Sequence, residues 1–197
     1  SFSGPAVVQP TLTANLTAQQ ILFQVGSTNH ILSSSDTAAA VTLTNAVPIR
    51  GLHVSGTNTV SANVVLFGGK TNSIQQAGPG TLILSGVISE STLGTPVKYE
   101  RVASAGGRYM ILGTNTYSGD TSLLDGTVYL SSLGMPGAAS SLGKGTNFYL
   151  GSAGSSRDAT LVYVGSGETS DKTIWVGAGS GARSISTTGA TGGLILN

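Results

Sequence analysis

Met110–Leu130 reads MILGTNTYSGDTSLLDGTVYL, and its rhythm decides how the rest of the chain is read. Apolar and polar residues alternate, a cluster of Gly, Asn, Ser and Asp interrupts them, and the alternation resumes. A period of two broken by turn residues spells three short strands and two turns. The alternation predicts Leu112, Leu123 and Val128 in a narrow core. Gly113, Gly119 and Gly126 fall at the corners, because glycine tolerates positive φ and close backbone approach.

Working outward, the same rhythm predicts strands at Leu12–Leu16, Gln20–Val25, His30–Ser33, Ala40–Thr44, Ile49–Val54 and Val60–Phe67. Turns are expected at 26–29, 33–36, 56–58 and 68–72. Beyond the central unit comes a Gly/Pro/Ser/Ala loop, Ser131–Gly145, and then strands at Asn147–Gly151, Thr160–Val164, Thr173–Gly177 and Ser184–Thr187. Ser1–Pro10, with Gly4 and Pro5, is a turn-rich lead-in. The best helical candidate, Thr17–Phe23, is too short and sits between strand signals. Gly78–Ser89 (GPGTLILSGVIS) is echoed at 189–197 (GATGGLILN), so the chain is expected to end partway through a repeat. Glu90–Arg108 holds 5 of the 17 charged residues and reads as an insertion loop within one continuous region, 1–197.

Composition narrows the class. Charged residues make up 9% of the chain, against roughly a quarter in an ordinary soluble domain. With 39% hydrophobic residues and a net charge of +1, this is not a disordered chain, which combines low hydrophobicity with high net charge. Scattered Lys and Arg make no basic stripe, so no nucleic-acid partner is expected. The apolar runs, such as Val64–Phe67, are far too short for a membrane helix, and no membrane insertion is expected. Cysteine is absent, which removes a disulfide frame and permits an extracellular life. No signal peptide is visible at Ser1, so secretion requires one already removed or lying upstream.

Short strands with small-residue turns suit a sandwich, an up-and-down barrel or a parallel β-helix. Landmark sequences recurring at long intervals, and too few charges for two wet sandwich faces, favour the β-helix (β-solenoid), an all-β fold. Coils of roughly 20–25 residues would give about eight or nine turns and a rod of roughly 40 Å.

Leu112–Thr121 (LGTNTYSGDT) followed by Asp125–Val128 (DGTV) resembles the autotransporter-associated β-strand repeat of bacterial surface-protein passengers. The matching positions are Gly113, Asn115, Thr116, Tyr117, Ser118, Gly119, Thr121 and Gly126. Asp120 stands where the family commonly has glycine. Gly80–Ser89 looks like the strand that precedes this unit, and Ser141–Gly145 like the turn that follows it. The resemblance implies a right-handed parallel β-helix, part of a longer passenger, exposed on or released from a cell. It implies no reaction, because the scaffold serves adhesins and stalks as well as carriers of enzymes.

The residues themselves offer little chemistry. His30 and His53 stand outside any metal-ligand spacing, and with no cysteine, no metal or other cofactor site is expected. The acids are Asp36, Glu90, Glu100, Asp120, Asp125, Asp158, Glu168 and Asp171. Asp120 and Asp125 read as turn formers, and Arg157-Asp158 and Asp171-Lys172 as solvated loop charges. No catalytic residues are assigned. Tyr117 is expected to plug a coil corner. Trp175 and Tyr163 are the candidate glycan contacts, since aromatic rings stack on sugars.

The expected function is therefore an extracellular structural or adhesive protein of a bacterial surface, associating with itself end to end into a filament and able to meet a surface glycan. Unpaired strand edges at the rod's ends motivate the self-association. Two alternatives stay open. One is a polysaccharide lyase or glycoside hydrolase, in which several acids converge with Arg50, Arg157 or Arg183; the other is a glycan-binding fibre module.

Overall fold

A computed structural model describes residues 1, 3, 9–52, 55–101 and 107–197. His53, the strand end at Val54, positions 4–8 of the lead-in and 102–106 of the expected insertion lie outside them.

The first coil runs through β1 (Thr11–Leu12), β2 (Leu16–Ala18) and β3 (Ile21–Phe23), and the second through β4 (Ile31–Ser34), β5 (Ala40–Leu43) and β6 (Ile49–Gly51). The third holds β7 (Thr57–Val60), β8 (Asn63–Leu66) and β9 (Asn72–Gln76), and the fourth β10 (Thr81–Leu84), β11 (Ile88–Glu90) and β12 (Val97–Arg101). The fifth coil has β13 (Arg108–Ile111) and β14 (Thr121–Leu123), and the sixth β15 (Gly126–Leu130) and β16 (Asn147–Leu150). The seventh restores three strands, β17 (Ala159–Tyr163), β18 (Ser166–Ser170) and β19 (Thr173–Val176), before β20 (Arg183–Ser186) and β21 (Gly192–Leu196).

These strands stack into the three sides of a parallel β-solenoid of about seven turns. The first side is an unbroken eight-stranded sheet, β1-β4-β7-β10-β13-β15-β17-β20, and the third an unbroken seven-stranded one, β3-β6-β9-β12-β14-β16-β19. The second side is split into β2-β5-β8-β11 and, beyond a gap, β18-β21. Among the described residues every strand ladder is parallel.

Alternation along each strand becomes continuous columns between rungs. Register stacks Leu32, Val60, Leu84, Ile111, Leu130 and Tyr163 inside the first side. Ile21, Ile49, Ile74, Tyr99, Leu123 and Leu150 stack inside the third. All of these are buried, each worth about 1.5–3 kcal/mol relative to exposure. Many outward positions are Ser, Thr or Asn, some paired between rungs, as in Thr160 with Ser184 at 2.9 Å.

Several local expectations need correction. The eight strands of the first side make seven steps, or roughly 34 Å at ~4.8 Å per step, shorter than the expected rod. Coil length is uneven, 19 residues from Arg108 to Thr127 but 33 from Gly126 to Ala159. Val60–Phe67 is two strands, because Ser61 and Ala62 turn a corner by donating to Leu32 O at 2.9 and 3.0 Å. Leu112 is 38% exposed, and its neighbour Ile111 fills the core instead. The GGLIL echo forms β21 against β18 on the second side, whereas GTLIL forms β10 on the first. Any side accepts an alternating apolar strand, so likeness of sequence does not fix which side it joins. Within 90–108, Val97–Arg101 is a full rung between β9 and β14, and Arg108 opens β13.

Candidate functional site

The resemblance motif lies where the second side is interrupted. In the fifth and sixth coils the places of the missing strands are taken by Asn115–Tyr117 and Ser140–Leu142. Asn115 and Ser140 exchange backbone N–H···O bonds of 2.8 and 3.2 Å, an isolated antiparallel bridge, and Thr116 N–H donates to Ile88 O at 2.9 Å. The buried Asn115 amide spans both neighbours: Oδ1 accepts from Ile88 N–H at 2.8 Å, and Nδ2 donates to Ser141 O at 2.7 Å.

Tyr117 fills the corner beside it and is fully buried. Thr121 Oγ1 donates to Leu142 O at 2.9 Å, so the Tyr117 hydroxyl is the donor of the 2.8 Å bond between them. Burial holds its pKa far above the usual tyrosine range, ahead of the opposing hydrogen bond to Thr121. Ser118 donates through N–H and Oγ to Glu90 Oε1 at 2.8 and 2.5 Å. Of the corner glycines only Gly126 has positive φ, at 90°. Gly113 and Gly119 are needed for close approach: a Cβ would stand 2.1 Å from Gly86 O and 2.3 Å from the Thr95 carbonyl.

The rare acids fasten coil to coil. Seven of the eight carboxylates bond across to a neighbouring coil: Glu90 to Ser118, Glu100 to Ser73, Asp120 to Asn147, Asp125 to Arg157, Asp158 to Ala182, Glu168 to Leu133 and Asp171 to Asn197. Asp36 instead caps its own turn at Ala38 N–H, 2.8 Å away. Charge-assisted bonds of this kind are about twice as strong as neutral ones. The solvated-loop reading holds for Arg157, Asp158 and Asp171, which stay exposed while they bond across coils, and is corrected for Lys172 alone. Arg157 reaches Asp125 at 2.8 Å, and Lys172 is buried, donating to Gly143 O at 3.3 Å and to Gly145 O. Desolvation pushes the Lys172 pKa down, against the opposing charges of Asp120 and Glu168.

His30 is buried, with its backbone N–H on Asn58 Oδ1 at 2.9 Å. Asp120 and Asp125 turn to different partners, Asn147 and Arg157. Among the described residues no group of three or more His, Cys, Asp or Glu could hold a metal ion.

The aromatic residues divide clearly. Tyr99, Tyr109, Tyr117 and Tyr163 lie in the core; Tyr163, expected as a glycan contact, is 1% exposed with its hydroxyl accepting from Gly167 N–H at 2.9 Å. Its position at the inward-facing end of β17 removes it from any surface. Trp175 is 55% exposed, and the residue directly beside it in the ladder is Tyr149, 38% exposed. Asp120 accepts from Asn147 N–H and Nδ2 at 3.0 and 2.9 Å, and Asn147 Oδ1 accepts from the Trp175 indole at 3.2 Å. An open groove of about 470 Å³ continues from Tyr149 past Ser122 and Lys98 to Pro96, with Thr71, Ser118 and Asp120 in its walls. That Tyr149 points outward was legible, since Phe148 and Leu150 flank it; its register against Trp175 was not. No family model, curated protein or solved structure matches the chain.

Proposed function

We propose that the chain is a non-enzymatic structural and adhesive β-solenoid of the autotransporter-passenger kind, displayed on or released from a bacterial surface. The observation that carries this reading is the use of the carboxylates: seven of eight are engaged in fastening one coil to another. Hydrolysis of a glycosidic bond ordinarily uses a convergent pair of acids, and Asp120 and Asp125 are held by separate partners. The resemblance of LGTNTYSGDT to passenger repeats supports the location.

Incubation with neutral and acidic polysaccharides, followed by assay of reducing ends and unsaturated products, is expected to show no turnover. Turnover that disappears on Asp120→Asn with Asp125→Asn would overturn the proposal. End-to-end association belongs to the same proposal, supported by the half-exposed Val176, Ile195 and Leu196 on β19 and β21. Sedimentation at rising concentration should show multiples of 19.6 kDa; a monomer throughout removes self-assembly.

A further inference from the structure

We propose that the outer face of the third side is a binding strip for an uncharged, extended polysaccharide, with Trp175 and Tyr149 as adjacent stacking platforms. The inference rests on the adhesive reading above and gives it a ligand class. Register aligns Lys98, Ser122, Tyr149 and Trp175 in one outward column over successive rungs. Three steps of ~4.8 Å span roughly 14 Å along the rod, and a chain of pyranose rings laid along it meets one side chain per rung.

The chemistry matches face by face. The apolar C–H face of a pyranose stacks on indole and phenol, and ring hydroxyls find Ser122, Thr71 and Lys98 in the adjoining groove. The indole is fixed before any ligand arrives. Asp120 clamps Asn147 through two bonds and Asn147 accepts the indole N–H, so little rotamer freedom remains to be lost on binding. Charge selects against acidic glycans: Lys98 is already paired with Glu100 at 3.1 Å, and Asp120 adds a second carboxylate to the same face.

Trp175 is the only tryptophan in the sequence, so its emission reports on this strip alone. Titration with a soluble β-glucan, a xylan, a mannan and a starch-type α-glucan is expected to give a saturable blue shift with at least one of them. Tyr149→Ala should weaken that binding at least tenfold. In affinity electrophoresis Trp175→Ala should lose retardation, whereas Phe67→Ala, which removes another half-exposed aromatic, should keep it. Far-UV circular dichroism checks that each variant is folded, and the emission titration of the unaltered protein tests the strip without any substitution. The proposal is overturned if no neutral glycan shifts the emission, if folded Tyr149→Ala binds as tightly, or if polygalacturonate binds better than every neutral glycan. Reducing ends measured on the same samples separate the two readings. Cleavage overturns the non-enzymatic function, and intact glycan without binding overturns the strip.

Discussion

Removing the Asn115 amide should cost more than any other exchange of a polar side chain in the central unit. Asn115→Ala deletes the acceptor for Ile88 N–H and the donor to Ser141 O, leaving both in a site where Asn115 itself is 0% exposed. Each orphaned buried group costs about 1–3 kcal/mol, giving about 2–6 kcal/mol together. A folded domain has only about 5–15 kcal/mol in hand. With a urea m-value of about 2–3 kcal/mol/M, the midpoint should fall by roughly 0.7–3 M at unchanged m. Asn115→Asp sharpens the test, because at neutral pH it sets a carboxylate oxygen against Ser141 O. It should be less stable than the alanine variant at pH 7 and recover at acid pH, where the protonated acid again donates. Hydrogen exchange should show the Ile88 amide losing its local protection in the alanine variant, whereas the aspartate variant keeps an oxygen to accept from it. A midpoint loss worth less than about 1 kcal/mol, or an aspartate variant as stable as the alanine one at pH 7, would refute the assignment of Asn115 as the brace between coils.

Two glycines should respond differently to a methyl group. Gly113→Ala, whose Cβ would lie 2.1 Å from Gly86 O, should cost about 3 kcal/mol by forcing neighbouring coils apart. Gly69→Ala has open space around it at a φ of 81° and should lose only about 1 kcal/mol to backbone strain; a reversed order of melting temperatures would contradict this. Glu100 should shape the acid limb of the stability curve. Burial alone would raise its pKa, but bonds from Ser73, Gln75 and Lys98, with the Lys98 charge, outweigh it and hold the pKa low. Its contribution is therefore complete above the unfolded value of about 4.3 and fades as pH falls through the folded one. Glu100→Gln should flatten that limb, and an unchanged pH profile would count against it.

The sequence announced the strands because a narrow solenoid repeats one demand on each side, an apolar residue at every second position. Val41 and Leu43, or Leu82 and Leu84, are legible for that reason. Corners were harder. Ser61-Ala62 turns the chain with neither Gly nor Pro, using bonds to Leu32 O that exist only once the coil beneath is in place. Register was out of reach for the same cause: what puts Tyr149 beside Trp175 is the length of the intervening coil, not either residue's neighbours. Burial of Lys172 was likewise hidden, since its carbonyl partners Gly143 and Gly145 belong to the previous turn. Asp171-Lys172 looks like a wet loop until that turn is known.

The break in the second side gives the rod a grain. Two flanks carry uninterrupted hydrogen-bonded seams and resist stretching, while the remaining flank is stitched across its gap by the Asn115 side chain, one isolated bridge and scattered backbone bonds in place of a strand ladder. Sideways load therefore meets unequal stiffness around the circumference, and the shaft flexes most readily in the plane that opens or closes the stitched flank. In a long surface fibre such a joint would set the direction in which the tip sways.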